Sequence, residues 1–223
     1  MPELGRLQAL ILDLDGLLID SETWNWQAHD ATLRRYGAAP LSLEEVRRLV
    51  GLDAADERLA LRRLRALPDR ALHDYAAVQR DAFTALRARG LAPLPGVREL
   101  LEAARRRGLR LGLASNSPLR SVTFALDELG IRPSFAAIVT VDQVKRGKPA
   151  PDVYLQALDR LGVRADAALA IEDSATGMAA AVAAGLACLV VPNAITAQQD
   201  FSQATARFDS LLQVAAWLPP VVE

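Results

Sequence analysis

Five short runs of the chain are almost wholly apolar: LQALILDL at 7–14, LRLGLAS at 109–115, FAAIVTV at 135–141, AALAIED at 167–173 and LACLVVP at 186–192. Runs of this length with no alternation predict strands covered on both faces. Helical spacing fills the gaps between them. VRELLEAARRRG closes on Gly108 after basic residues, a helix stop. SPLRSVTFALDELG predicts a helix with Ser117 as N-cap and Pro118 at the first helical position. PDVYLQALDRLG and SATGMAAAVAAG end in the same way on Gly162 and Gly185. Strand–helix alternation of this kind predicts an α/β fold, a Rossmann-like parallel sheet with helices on both faces.

Residues 21–90 break the pattern. They offer helical spacing and no convincing strand. In SLEEVRRLVG, Ser42 and Glu45 have the spacing of a capping box, and Gly51 closes the segment. DRALHDYAAVQRDAFTALRARG reads as one long helix ending at Gly90, and Pro93, Pro95 and Gly96 follow as a linker. The expected organisation is therefore a catalytic core of residues 1–20 and 91–223, with a helical cap of residues 21–90 inserted after the first strand. Ligands of open α/β sheets bind beyond the carboxyl ends of the strands, and an insert leaving from strand one is expected over that place.

Polar residues stand at those ends. Asp13 and Asp15 follow the first strand, Ser115 and Asn116 the second, and Glu172, Asp173 and Ser174 the fourth; Lys148 lies between the third and fourth. Several carboxylates in one crevice repel each other unless a cation sits among them. An all-oxygen set suits a hard ion such as Mg²⁺, and neither His29, His73 nor Cys188 belongs to the set, which argues against zinc. Mg²⁺ brings phosphate into its shell, a lysine and a hydroxyl can hold phosphate oxygens, and the helix after Asn116 offers backbone N–H groups. A carboxylate can attack phosphorus, and a second one two residues on can act as acid and then base. Of 26 basic residues only Lys145 and Lys148 are lysines, so Lys148 stands out as a compact point charge in an arginine-rich chain. Taken singly, these residues have simpler uses. Asp13 and Asp15 can cap a loop, Ser115 can begin a turn, and Asp173 or Ser174 can cap the next helix.

Composition narrows the class. The 223 residues are 51% hydrophobic and carry 26 basic against 27 acidic residues, so the chain is globular and has no excess basic charge for nucleic acid. The arginine runs read as solvated helix faces. No apolar stretch approaches a membrane span, and the N-terminal run is broken by charge too soon for a signal peptide. A single cysteine, Cys188, in an apolar run reads as a packed hydrophobe and fits a reducing, cytoplasmic setting. Oligomeric state is left open; a monomer suffices for every feature named.

In order along the chain, DLDGLLIDSE, GLASNSP, GKPAPDVY and AIEDSATGMAAAVAAG resemble the four motifs of the haloacid-dehalogenase-like phosphohydrolases, in the branch of β-phosphoglucomutase and the small sugar-phosphate phosphatases. GLLIDSE, APLPGVRE, GLASNSPL and ALAIEDSATGMAA are most similar to hexitol and 2-deoxyglucose-6-phosphate phosphatases. The resemblance implies a Mg²⁺-dependent phosphomonoesterase acting on a small phosphorylated metabolite, a sugar or polyol phosphate, through an aspartyl phosphate. It implies Asp13 as nucleophile, and Asp15 as acid–base group that also lends its backbone carbonyl to the metal. Ser115, Asn116 and Lys148 would bind phosphate, Asp13, Asp15, Asp173 and Glu172 would bind metal, and residues 21–90 would form a cap that excludes water. The mutase branch carries a histidine where this chain has Asn25, and an arginine near the place of Ala54; Arg58 does not restore that spacing. These departures favour hydrolysis over a phosphohexose mutase. A non-catalytic phosphate-binding module is the other alternative, opposed by the presence of Asp13, Asp15, Lys148 and Asp173 together.

Overall fold

The structure, a computed structural model, describes residues 7–49, 54–68, 75–78, 80–81, 84–85 and 90–218. The chain divides into two compact units, Met1–Asp20 with Leu91–Glu223, and Ser21–Gly90.

The first unit is built on a six-stranded sheet in the order β3-β2-β1-β4-β5-β6, all parallel. The strands are β1 (Ala9–Leu12), β2 (Arg110–Ser115), β3 (Ala137–Thr140), β4 (Ala168–Glu172), β5 (Ala187–Val190) and β6 (Ala206–Arg207). The first five fall inside the five apolar runs. The sixth is two residues long and carries no hydrophobic signal of its own; it is added at the edge beside β5.

Alternation along the central strand sorts the core into two layers. Leu10 and Leu12 pack with Val97, Leu100, Val122, Leu126, Leu211 and Val214, which belong to α4 (Val97–Arg106), α5 (Leu119–Glu128) and α8 (Leu211–Trp217). Ala9 and Ile11 face the opposite way, onto Val153, Tyr154 and Ala157 of α6 (Asp152–Leu161) and Met178, Ala180 and Ala181 of α7 (Ala175–Ala183). Every residue of β1 is fully buried, as a doubly covered strand requires. The chain crosses from β1 outward to β2 and β3, then returns to the other side of β1 for β4. The carboxyl end of β1 is thus the point where strand order reverses, the usual place for a ligand site.

Helix ends match the glycine signals. Gly162 caps α6 at φ 62°, and Ser174 caps α7 by accepting from the Gly177 N–H at 3.1 Å. One expectation is corrected at α5. Ser117 does not cap it and Pro118 precedes its first residue; the Leu119 N–H is taken instead by the Asp142 carboxylate at 3.2 Å. Where the chain leaves and re-enters this unit, Ile19 bridges to Pro93, and the Leu94 N–H donates to the Leu18 carbonyl at 2.9 Å. The proline linker is therefore paired along the exit of β1.

The second unit contains α1 (Ser21–Arg35), α2 (Leu43–Leu49) and α3 (Ala54–Arg65), with further helical residues at 75–78, 80–81 and 84–85. No strand occurs among its described residues. The capping box is formed: the Ser42 N–H donates to Glu45 at 2.8 Å and the Glu45 N–H to Ser42 Oγ at 3.3 Å. Trp26 Nε1 donates to the Leu41 carbonyl at 3.2 Å, and buried His29 meets the Tyr75 hydroxyl at 2.7 Å. Gly51, His73 and the side chains of Ala54 and Arg58 lie outside the described residues.

Arg65 closes this unit on itself. Its guanidinium holds both Glu45 carboxylate oxygens at 2.7 Å and the carbonyls of Ala39 and Pro40 at 2.9 and 2.8 Å. The hydrogen bonds from Arg65, helped by the Ser42 backbone, pull the Glu45 carboxyl from its usual 4.5 to about 2. A lowered folded-state value stabilises above the unfolded value, and that contribution is lost as pH falls through the folded one. Arg65→Ala should therefore destabilise the protein at neutral pH, and its deficit against wild type should shrink as pH falls from 4.5 towards 2, as read by denaturant unfolding at a series of pH values.

Candidate active site

Three polar strand ends meet beside β1. Asp13 leaves the sheet directly after Leu12, and its N–H is still paired to the Ile171 carbonyl of β4 at 3.1 Å, so its position is fixed by the ladder. Leu14 turns into the core at 1% exposure, and Gly16 reverses the chain at φ 79°. Glycine is required there twice over. The backbone is left-handed, and a Cβ would stand 2.2 Å from Asp173 Oδ2 and 2.8 Å from Asn193 Nδ2.

Lys148 is the centre of the cluster. Its ammonium donates to Asp13 Oδ1 at 2.5 Å, Glu172 Oε1 at 2.6 Å and the Ala114 carbonyl at 2.7 Å, using all three protons. The Tyr154 hydroxyl donates to the same Glu172 oxygen at 2.5 Å, and its ring lies 5.2 Å from the ammonium. Asn116 fixes the lysine from behind: its amide accepts from the Lys148 N–H at 2.7 Å and donates to the Lys148 carbonyl at 3.1 Å. Asp13, Lys148, Glu172 and Asp173 are all buried.

Burial pushes the Asp13 carboxyl well above its ordinary range; Lys148 pulls it back, while Glu172 and Asp15 push it further up. Burial works against the charge on Lys148, but Asp13 and Glu172 outweigh it and raise the lysine above its usual value. One oxygen each of Asp13, Glu172 and Asp173 lies within 4.8 Å of the others. Three buried carboxylates cluster with one lysine, so negative charge exceeds positive among these four groups when all are ionised. That excess, on oxygen ligands alone, is what a divalent hard cation such as Mg²⁺ would neutralise.

Asp15 stands apart from this trio. It is half-buried, and its Oδ2 accepts from Ser117 Oγ at 2.6 Å and from Ser115 Oγ at 3.3 Å. Ser115 is fully buried and accepts in turn from the Ser117 N–H at 2.9 Å. Part of the N–H supply expected at the start of α5 is already engaged. Ser117 has given its N–H to Ser115, Pro118 has none, and Leu119 has given its own to Asp142.

Sequence reasoning placed Asp13, Asp15, Ser115, Asn116, Glu172 and Asp173 at strand ends, and Lys148 between the third and fourth strands. The structure brings Asp13, Lys148 and Glu172 into one hydrogen-bonded network, with Asp173 adjoining. Asn116 supports Lys148 through the backbone, and Ser115 stands with Asp15. Sequence reasoning missed Tyr154, Ser117 and Asn193. Tyr154 lay in plain view at the end of GKPAPDVY; its register on α6, facing the sheet, was the available signal.

The haloacid dehalogenase-like hydrolase family matches residues 7–185. The protein CbbY of Rhodobacter capsulatus is 36% identical over 96% of this chain and 98% of its own length. Hexitol phosphatase B of Escherichia coli K12 is 34% identical over 95% of this chain and 96% of its own. A crystal structure of a mutant CbbY from Rhodobacter sphaeroides, in complex with xylulose-1,5-bisphosphate, superposes with a TM-score of 0.77 at 31% identity, covering 93% of this chain and 96% of that one.

The network makes an energetic prediction. Removing the lysine leaves buried carboxylates facing each other, so Lys148→Met should cost about 3–5 kcal/mol of stability in metal-free buffer. Tyr154→Phe removes one hydrogen bond to a charged group and should cost roughly 1.5–3 kcal/mol. Denaturant unfolding of both variants checks the order; equal costs would mean that Lys148 does not hold the carboxylates together.

Proposed function

The chain belongs to the haloacid dehalogenase-like hydrolases and is a phosphatase of phosphorylated sugars or related metabolites, and we propose that it hydrolyses a sugar or polyol phosphate monoester with Mg²⁺ through an aspartyl phosphate. The observation that carries this reading is the placement of Asp13: buried, fixed by the sheet, and surrounded by Lys148, Glu172 and Asp173.

In the proposed reaction an Asp13 carboxylate oxygen attacks phosphorus, and the bond to the leaving oxygen breaks. Asp15 gives that oxygen a proton. A water molecule then attacks the aspartyl phosphate while Asp15 takes its proton, releasing phosphate and restoring Asp13. The hydrogen bonds from Ser117 and Ser115 support this role by holding the Asp15 carboxylate beside the reaction centre. Lys148 and Ser115 are assigned to the phosphoryl oxygens, with Asn116 keeping Lys148 in place. Asp13, Asp173, Glu172 and the Asp15 backbone carbonyl are assigned to Mg²⁺. The ion, when bound, neutralises charge on the transferring group. We assign residues 21–90 the part of a cap whose closure excludes water during the first transfer.

The relatives support the substrate class through what their names record: a hexitol phosphatase and a CbbY complexed with a sugar bisphosphate. Asn25, standing where a mutase carries histidine, and Ala54, near the place of its arginine, favour hydrolysis over isomerisation.

Asp13→Asn should lower phosphatase turnover by at least about 10³-fold, in line with the loss of other catalytic nucleophiles, while leaving the circular dichroism spectrum unchanged. Wild-type turnover of an aryl phosphate by this variant would overturn the assignment. EDTA should abolish phosphate release and added Mg²⁺ restore it; activity surviving in chelator would overturn the metal reading. A panel of sugar and polyol phosphates, assayed for released phosphate, identifies the substrate.

A further inference from the structure

The loop after β5 reaches back to the acidic cluster through one side chain. Asn193 Nδ2 donates to Asp173 Oδ2 at 2.8 Å and to the Gly16 carbonyl at 3.3 Å. Its amide can face only one way, because Oδ1 accepts the N–H groups of Ile195 and Thr196 at 2.9 and 3.1 Å. Two backbone donors on the oxygen fix the nitrogen on Asp173. The turn that carries Asn193 is itself held. The Asn193 N–H donates to Oγ1 of Thr196, which is 1% exposed, and the Val191 N–H donates to the Glu172 carbonyl at 2.7 Å. A few residues on, Gln199 Oε1 accepts the Ala175 N–H at 2.8 Å. The segment is thus tied both to the end of β4 and to the start of α7, on either side of Asp173.

Three pieces of chain therefore converge on Asp173 Oδ2: the β1 exit at Gly16, the β4 end, and the turn at Asn193. The contact is close enough that a Cβ on residue 16 would strike both Asp173 and Asn193. A carboxylate with one oxygen held by a fixed donor has its rotation set, and groups that orient metal ligands in this way govern affinity for the ion.

We propose that Asn193 is a positioning residue for the divalent-cation site. Its amide locks one oxygen of Asp173 so that the carboxylate meets Asp13 and Glu172 in a preset geometry, and it joins the loop after β5 to the metal centre. This rests on the Mg²⁺ reading above.

Asn193→Ser is the discriminating variant. A serine hydroxyl accepts backbone N–H groups two or three residues on, as the asparagine amide does, so the turn keeps its bonds. The hydroxyl is too short to reach Asp173. Mg²⁺ affinity is measured directly on the intact protein by titration calorimetry, and thermal unfolding is followed without metal. The expected result is a melting temperature close to wild type with Mg²⁺ affinity lowered about tenfold. Affinity within twofold of wild type would overturn the proposal. If Asn193→Ser is itself destabilised, Thr196→Val loosens the same turn and leaves the amide donor. A smaller affinity loss in Thr196→Val than in Asn193→Ser at equal destabilisation supports the proposal, and an equal loss overturns it. Absence of Mg²⁺ binding by the wild-type protein would overturn the metal reading and this proposal together. Binding by wild type with Asn193→Ser unchanged would overturn only the role of Asn193.

Discussion

A buried ammonium group holds the site together. Lys148 spends its three protons on Asp13 after β1, Glu172 at the end of β4 and the Ala114 carbonyl in β2. These are three adjacent strands of the sheet. A charge that is taken out of water in this way is tolerated only when its geometry is complete. Asn116 completes it from the backbone side and Tyr154 from the ring side. The cluster therefore depends on the sheet for its register, and the carboxyl ends of the strands depend on the cluster for their charge balance.

Much of this was legible in the chain because parallel strands covered on both faces must be written as unbroken apolar runs. Leu10, Leu12, Ala9 and Ile11 could go nowhere but the core, and the polar residues that end each run then had to emerge at one edge. Asp13, Ser115 and Glu172 were found by that logic alone. What was not legible depended on contacts that no local pattern encodes. Ser117 has the spacing of an N-cap, yet its hydroxyl goes to Asp15, because Asp142 from the end of β3 has already taken the first N–H of α5. Asn193 follows Pro192 in the turn after β5. That the free end of its amide meets Asp173, 20 residues away in the chain, follows only from β4 and β5 lying side by side. The strand β6 was missed because a two-residue edge strand buries too little to need a hydrophobic signature.

Close packing around the carboxylates explains two glycines, Gly177 and Gly16. Gly177 lies inside α7, where alanine would ordinarily be favoured, yet a Cβ there would fall 2.0 Å from Glu172 Oε2. Gly16 is excluded from carrying a side chain by Asp173. In both places the fold gives up helix propensity or backbone restriction so that a carboxylate can lie against main chain. The two acidic residues at the end of β4 are thus each packed against a glycine, one from α7 and one from the β1 exit. Each also has its own hydrogen-bonding partner, Tyr154 for Glu172 and Asn193 for Asp173.

The two aspartates that leave β1 differ in depth, and the difference bears on their proposed roles. Asp13 is 6% exposed and is pushed up by burial; Asp15 is half-buried and lies against hydroxyl groups. A nucleophile gains from losing its water, provided fixed charges replace it, and Lys148 is such a charge. An acid–base group must reach the leaving oxygen and then the attacking water, which a place sealed beneath Lys148 would hinder. Two residues of spacing and one left-handed glycine are enough to separate these environments. Leu14 anchors the strand end in the core, and Gly16 turns the chain away before a third polar residue can enter the cluster. If the roles were exchanged, the group that must exchange protons would be the one sealed beneath Lys148, and the attacking group would be the one held by serine hydroxyls. The packing around the two aspartates therefore favours Asp13 as the attacking group and Asp15 as the proton carrier, independently of any likeness to other proteins.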